Sequence, residues 1–467
     1  MAASAAISKT IYFGSFVHSK TLTELDICEK GAIGVDEEGV IRFVERDSEV
    51  ENVLEKYGEW KDAKVVRIKG NGFFFPGFID THTHAPQHPN TGLFGKTTLL
   101  DWLQKYTFPM ESSLSSLPLA TRVYSNFVSR TLSHGTTTCA YYATIHVPTT
   151  NLLADICLAR GQRALVGRVC MDSDLSPSTY RDASVDSAIA SSKSSISYIR
   201  SIDPSGSIVR PIITPRFAPS CTPACLSALG ALAAETDTFI QTHVSENASE
   251  IALVASLFPD SKSYTHVYST ANLLSPKTIL AHAVHLSAPE LALVKSAGAK
   301  ISHCPASNTA ITSGVAPIRS YLEQGLSVGL GTDVSGGFSP SILEECRQAI
   351  WASRFRAMNE GDEAKLSTEE VLYLATRGGA DVVGLKGRVG GFEVGMEFDA
   401  QMVCLGAVEE GGCGDGLFEG AGGAVDVFGW EDMQERVEKW VYSGDDRNCA
   451  AVWVRGRLVH RRKGVEV

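Results

Sequence analysis

No run of apolar residues in this 467-residue chain approaches the roughly 20 needed to span a bilayer. No long basic run is present either. The HRRK segment at 460–463 is short and isolated, and the formal net charge is −11 with a pI near 5.6. An acidic surface repels phosphate backbones, so a small molecule is expected as the partner and a nucleic-acid polymer is not. The opening MAASAAISKTIYFGS lacks a charged segment followed by an apolar one, so no export signal is expected. The eleven cysteines have no framework spacing. They read as reduced thiols of a cytoplasmic protein. Cys221 and Cys225 are the closest pair, but no second pair stands at zinc-ligand spacing, which argues against a structural zinc there.

What is present falls into three stretches. Residues 8–75 alternate short β-like runs with turns, and Asp36-Glu37-Glu38-Gly39 between apolar runs signals a hairpin. Residues 398–405 and 449–459 are also strand-like, with a glycine-rich stretch at 409–424 expected as a surface loop. Two β-rich ends around one long middle predict that residues 1–75 and 391–467 pair into a single small β-sandwich domain.

The middle, residues 76–390, has another rhythm. Eight apolar, β-branched runs recur: FFFPGFIDTHTH, TTTCAYYAT, RALVGRVCMD, SIVRPIITPRF, DTFIQTHVSE, KTILAHAVHL, AKISHCPASN and LSVGLGTD. Helical periodicity lies between them, as at 122–134 and 341–358, the latter with Ser339 and Pro340 read as its N-cap and first residue. Eight strand–helix units predict an α/β fold, a (β/α)8 barrel.

The polar residues gather at the C-terminal ends of the predicted strands, where such barrels place their active sites. His82 and His84, spaced i, i+2 on a strand, share one face. With His243 and Asp333 they make a candidate set of three imidazoles and one carboxylate for a divalent metal. Zinc suits those ligands, and iron or manganese would also fit. A bound metal lowers the pKa of its water to about 7, and Asp333 would serve as both ligand and base. Glu246, three residues past His243, is placed to take a proton from that water and deliver it to a substrate. His282 would orient the attacking oxygen or polarise the reacting carbon. A lone histidine at a strand end is ordinarily structural, and that reading is kept for His285 and His303, as direct supports of the site or of the core.

Several motifs, taken together and in order, resemble the amidohydrolase superfamily in its metal-dependent nucleobase-deaminase branch. They are PGFIDTHTH at 76–84, HGTTT at 134–138, HVSE at 243–246, HCPASN at 303–308 and GLGTD at 329–333. The resemblance covers nearly the whole chain, including the split β domain. THTHAPQ at 81–87, DWLQKYTFPME at 101–111, TPRFAPSC at 214–221 and QTHVSEN at 241–247 match the guanine-specific members more narrowly. What the resemblance implies is hydrolysis of guanine to xanthine and ammonia, with one zinc ion per subunit and a homodimeric assembly. It carries over His82, His84, His243 and Asp333 as metal ligands, Glu246 as proton shuttle and His282 as a metal-site histidine. Gln87, Arg216 and Phe217 are carried over as purine-binding residues, beside His243, Glu246 and Asp333.

Elementary chemistry agrees with that carry-over. Guanine presents O6 and N7 acceptors on one edge, and an arginine fork matches two acceptors in one plane. Phe217 offers a stacking face, or else packs in the core. Gln87 has donors and an acceptor. Arg216 in an apolar barrel mouth needs a partner when no ligand is bound, and a structural ion pair is the competing use. Trp102, Leu100 and Phe108 are candidates to wall the pocket or else to pack in the core. Two-metal relatives place a modified lysine at the end of the fourth strand, but here that strand ends in Thr-Pro-Arg216-Phe217, so one metal is expected. The other zinc-deaminase signature, His-x-Glu with Pro-Cys-x-x-Cys, is absent because the chain has no Pro-Cys pair. The alternatives are a deaminase or chlorohydrolase of the same barrel acting on another purine, a pterin or a triazine, and a non-catalytic scaffold.

Overall fold

The structure is a computed structural model that describes residues 7–68, 70–407 and 425–467. The glycine-rich stretch at 409–424 lies outside the described residues. Eight parallel strands form the barrel: Phe78–His84, Thr136–Tyr142, Arg163–Gly167, Val209–Pro215, Phe239–Val244, Thr278–His282, Lys300–His303 and Val328–Leu330. They pair in sequence order, and all eight predicted runs are among them. Between the last strand and the first, single hydrogen bonds replace a ladder: Thr81 Oγ1 donates to Leu330 O at 2.9 Å, and Asp333 N to His82 O at 2.8 Å.

Helices cover the barrel for readable reasons. In Leu117–Ser133 the buried residues Ala120, Val123, Tyr124, Phe127, Val128, Thr131 and Leu132 recur at helical spacing and turn one stripe inward. Helix Ile342–Glu360 begins two residues later than Ser339 suggested. Ser341 is its N-cap, accepting from Glu344 N, while Ser339 Oγ accepts from Ser341 N in the turn before.

Both chain ends share a second sheet of eight strands. Thr10–Ser19 pairs antiparallel with Leu25–Val35, which pairs with Ile41–Arg46 across the hairpin at 36–39. There Asp36 Oδ1 accepts from Glu38 N and Val40 N. From the other end of the chain, Ala400–Val403 pairs with Phe73–Pro76, and Cys449–Val454 pairs with Ala400–Val403. The run at 449–459 is two strands, since the chain reverses at Arg455 and Gly456, both at positive φ, and returns as Arg457–Arg461.

The FFFPGFI run likewise serves two sheets. Phe73–Pro76 belongs to the end sheet and Phe78–His84 to the barrel, with Gly77 between them so close to Thr137 that a Cβ would lie 2.2 Å from it. Strand alternation sends Phe74 into the end-sheet core. Phe73, Phe75 and Phe78 meet Trp440 of helix Met433–Ser443, whose ring stacks on Phe78 at 5.7 Å. Below the barrel, Arg163 Nε and Nη2 donate to the two oxygens of Asp399 at 2.6 and 2.9 Å, pinning one unit to the other. Among the described residues no helix is long and apolar enough to cross a membrane.

Candidate metal centre and pocket

The first strand carries His82 and His84 to the mouth on one face, as their spacing predicts. The fifth brings His243, and Asp333 follows the eighth at φ 44°. One ligand atom from each of these four buried residues lies within 4.8 Å of the others. His82 Nε2 is 3.1 Å and His84 Nε2 3.4 Å from Asp333 Oδ1, and His84 Nε2 is 3.2 Å from His243 Nε2. His243 Nδ1 donates to Arg216 O at 2.6 Å, which turns the lone pair of its Nε2 toward His84. Burial pushes the pKa of His82, His84 and His243 below the ordinary imidazole value, so these nitrogens are neutral. Burial acts upward on Asp333, yet its bond to His82 and the neighbouring imidazoles hold its carboxyl well below the usual range. Neutral nitrogens and one carboxylate, all converging on a point, fit a divalent cation.

Beside these four side chains stand Glu246 and His282. His282 Nε2 is 3.4 Å from Glu246 Oε2 and 3.8 Å from Asp333 Oδ2, and its Nδ1 is fixed by Asn308 Oδ1 at 2.8 Å. Burial raises the Glu246 carboxyl to about 7, against the pull of His282. His282 moves the other way from its three neighbours: burial lowers it, but the carboxylates of Glu246 and Asp333 outweigh that and raise it. His282, at φ 69°, and Asp333 both adopt left-handed backbone, a conformation that clusters at functional sites.

Residues with no spacing signal hold this arrangement. Ser307 Oγ donates to Asp333 Oδ2 at 2.6 Å, and Ser313 Oγ to Glu246 Oε1 at 3.0 Å. Glu250 accepts from Glu246 N and Asn247 N, closing a capping box on the next helix. The HCPASN motif explains Asn308 and Ser307 after the fact. Of the two histidines read as supports, His285 Nε2 binds Ser313 O at 2.7 Å and His303 is buried at the end of the seventh strand.

A pocket opens over the cluster. Gln87, Arg216, Phe217, His84, His243, Glu246, His282 and Asp333 line it, so every site residue read from the sequence except the innermost His82 borders it. Of the two uses open to Trp102 it takes both, walling the pocket and packing in the core, but Leu99 and Leu103 take the place of Leu100, because i, i+3 and i+4 on this helix face inward together. Phe108 lies behind, its ring 5.3 Å from the Arg216 guanidinium. Phe217 both borders the pocket and packs with Trp102 and Phe108.

The partner that Arg216 needs is Glu111, which the sequence reading did not single out. Arg216 Nη1 donates to Glu111 Oε2 at 2.7 Å and Nη2 to Oε1 at 3.1 Å. Burial opposes the charge on Arg216, but Glu111 outweighs it and raises the pKa. Tyr180 OH and Gln87 Nε2 also donate to Glu111, at 2.7 and 2.9 Å.

A parallel barrel with three imidazoles and a carboxylate at its mouth, and a second carboxylate beside them, is the frame of a metal-dependent hydrolase. The chain belongs to the amidohydrolase family, whose sequence profile matches residues 73–459. A probable guanine deaminase of Schizosaccharomyces pombe is 46% identical over 96% of this chain and 83% of that protein. The Homo sapiens guanine deaminase is 40% identical over 96% of each chain. Among solved structures, guanine deaminase from C. acetobutylicum with guanine in its active site superposes with a TM-score of 0.85 at 32% identity, covering 97% of this chain and all of that one.

Proposed function

We propose that the chain hydrolyses guanine to xanthine and ammonia at a single divalent ion, zinc by the nature of its ligands. The observation that carries this reading is one pocket over the His82, His84, His243 and Asp333 cluster, lined by the last three together with the carboxyl of Glu246 and an arginine–glutamine wall. An ion held by His82, His84, His243 and Asp333 would supply a water acidic enough to lose its proton near neutral pH.

The protein's own groups do the rest. Arg216 and Gln87 hold the oxo edge of the base, and Phe217 packs on its ring. That pose turns C2 and its amino group toward Glu246 and Asp333. Glu246 takes the proton of the attacking water and returns it to ring nitrogen N3, the role to which a carboxyl near pKa 7 is suited. His282 stabilises the tetrahedral carbon from the side opposite Asn308. Asp333 and Glu246 then pass a proton to the amino group, which leaves as ammonia.

In the same reading, residues 76–390 form the catalytic unit, and 1–75 with 391–467 form the supporting domain. The protein works as a homodimer in the cytoplasm, a placement supported by the free thiols of its ten described cysteines. Ammonia release tests the function, with guanine, adenine, cytosine and 8-oxoguanine supplied separately, with and without a chelator. Turnover of guanine that stops on chelation is expected. Silence on guanine with turnover of another base would reject the substrate assignment.

A further inference from the structure

The bonds already made by Gln87 and Arg216 limit what each can offer a ligand. Gln87 Oε1 accepts from Ser335 N at 3.2 Å, and Gln87 Nε2 donates to Glu111 Oε1 at 2.9 Å. A backbone N–H only donates and a carboxylate only accepts. Turning the Gln87 amide over would therefore set donor against donor and oxygen against oxygen. Its carbonyl is directed to Ser335, and the second N–H of its Nε2 is left for the pocket. Arg216 has no acceptor at all, and its fork is held by both oxygens of Glu111. Both side chains line the pocket, so this wall presents donors.

Glu111 sets that polarity. It is fully buried, and its two oxygens receive four bonds, from Arg216 twice, Gln87 and Tyr180. We propose that Glu111 is the positioning residue for base specificity: by fixing the Gln87 amide as a donor and holding the Arg216 fork in place, it admits a purine with an oxo group at position 6 and rejects one with an amino group there. This rests on the guanine reading above. An amino group at position 6 would point its N–H at these donors and leave buried donors unpaired on both sides, and a site built to hydrogen-bond one group rejects the analogue lacking it strongly.

Guanine and 2,6-diaminopurine test this. They share the C2 amino group that reacts and differ at position 6 and the adjoining ring nitrogen. The ratio of their kcat/KM values in one preparation does not depend on how much of the enzyme is folded. The wild type is expected to prefer guanine by about 10⁴-fold. Glu111→Gln should retain about one equivalent of metal yet lose roughly 100-fold of that preference, as one charged acceptor is lost. Tyr180→Phe removes one donor to Glu111 and should lower the ratio in the same direction by less than about tenfold. It decides the matter if Glu111→Gln does not fold. An unchanged ratio in a metal-loaded Glu111→Gln, or in Tyr180→Phe if that variant alone folds, overturns the inference. A wild type that leaves guanine untouched overturns the functional reading beneath it, and the inference with it.

Discussion

Two buried arginines, one at each end of the barrel, carry the same chemistry to different ends. Arg163 opens the third strand at the bottom, and Arg216 follows the fourth at the mouth. Each is about 2% exposed and forks onto a carboxylate. Arg163 is consumed within the protein. Asp399, Glu397 and Ser207 O take its donors, and the result joins the barrel to the end sheet. Arg216 gives one bond from each terminal nitrogen to Glu111 and keeps a face on the pocket. Burial and ion pairing alone do not tell a structural arginine from one that binds a ligand. Which end of the barrel it occupies, and whether it lines the pocket, does.

Substitutions at the two ends should separate these uses. The largest loss is expected at the mouth: Glu246→Gln should lower kcat on guanine by about 10³-fold, with metal content and KM near wild type. Steady-state kinetics with metal analysis checks this, and a wild-type kcat would remove Glu246 from the reaction. At the bottom, Arg163→Ala removes the only charged partner of the Asp399 side chain among the described residues, while Glu397 keeps Arg388, and should cost about 4 kcal/mol of unfolding free energy. Denaturant unfolding measures the loss, and kcat/KM per folded enzyme should hold. Arg216→Ala should reduce kcat/KM for guanine by about 100-fold, chiefly through KM. An unchanged KM would make the two arginines equivalent after all.

The pH profile gives a smaller effect of fixed sign. Glu246 must be ionised to take a proton, and burial raises its carboxyl to about 7. A bound cation pulls that value down. The kcat profile should therefore fall tenfold per pH unit below a midpoint lying between the ordinary glutamate value and 7, and Glu246→Gln should lack this limb. The smallest effect belongs to the outer wall: Ser341→Ala should cost about 1 kcal/mol of stability through its cap and leave kcat alone.

The sequence made the barrel and the convergence of the three histidines with Asp333 legible because both obey short-range rules. β-Branched runs mark the strands, i, i+2 histidines share a face, and the strand ends share a mouth. Glu111 obeys none of these. It sits on the short helix Phe108–Ser113, and its partner Arg216 lies 105 residues away. Its meaning depends on a contact that no periodicity encodes, and the same holds for Tyr180 and for Ser313 against Glu246. The misplaced boundaries have local causes. Arg455-Gly456 turns the chain without the usual Asn-Gly signal, and Ser341 competes with Ser339 for one cap.

The most direct test of the site is a titration. Apoprotein prepared by chelation should be inactive on guanine, and adding zinc should restore xanthine formation linearly to a sharp end point at about one ion per chain, with His82→Ala abolishing the response. Guanine turnover that survives complete metal removal, or an end point at two ions per chain, would contradict a single ion held by His82, His84, His243 and Asp333.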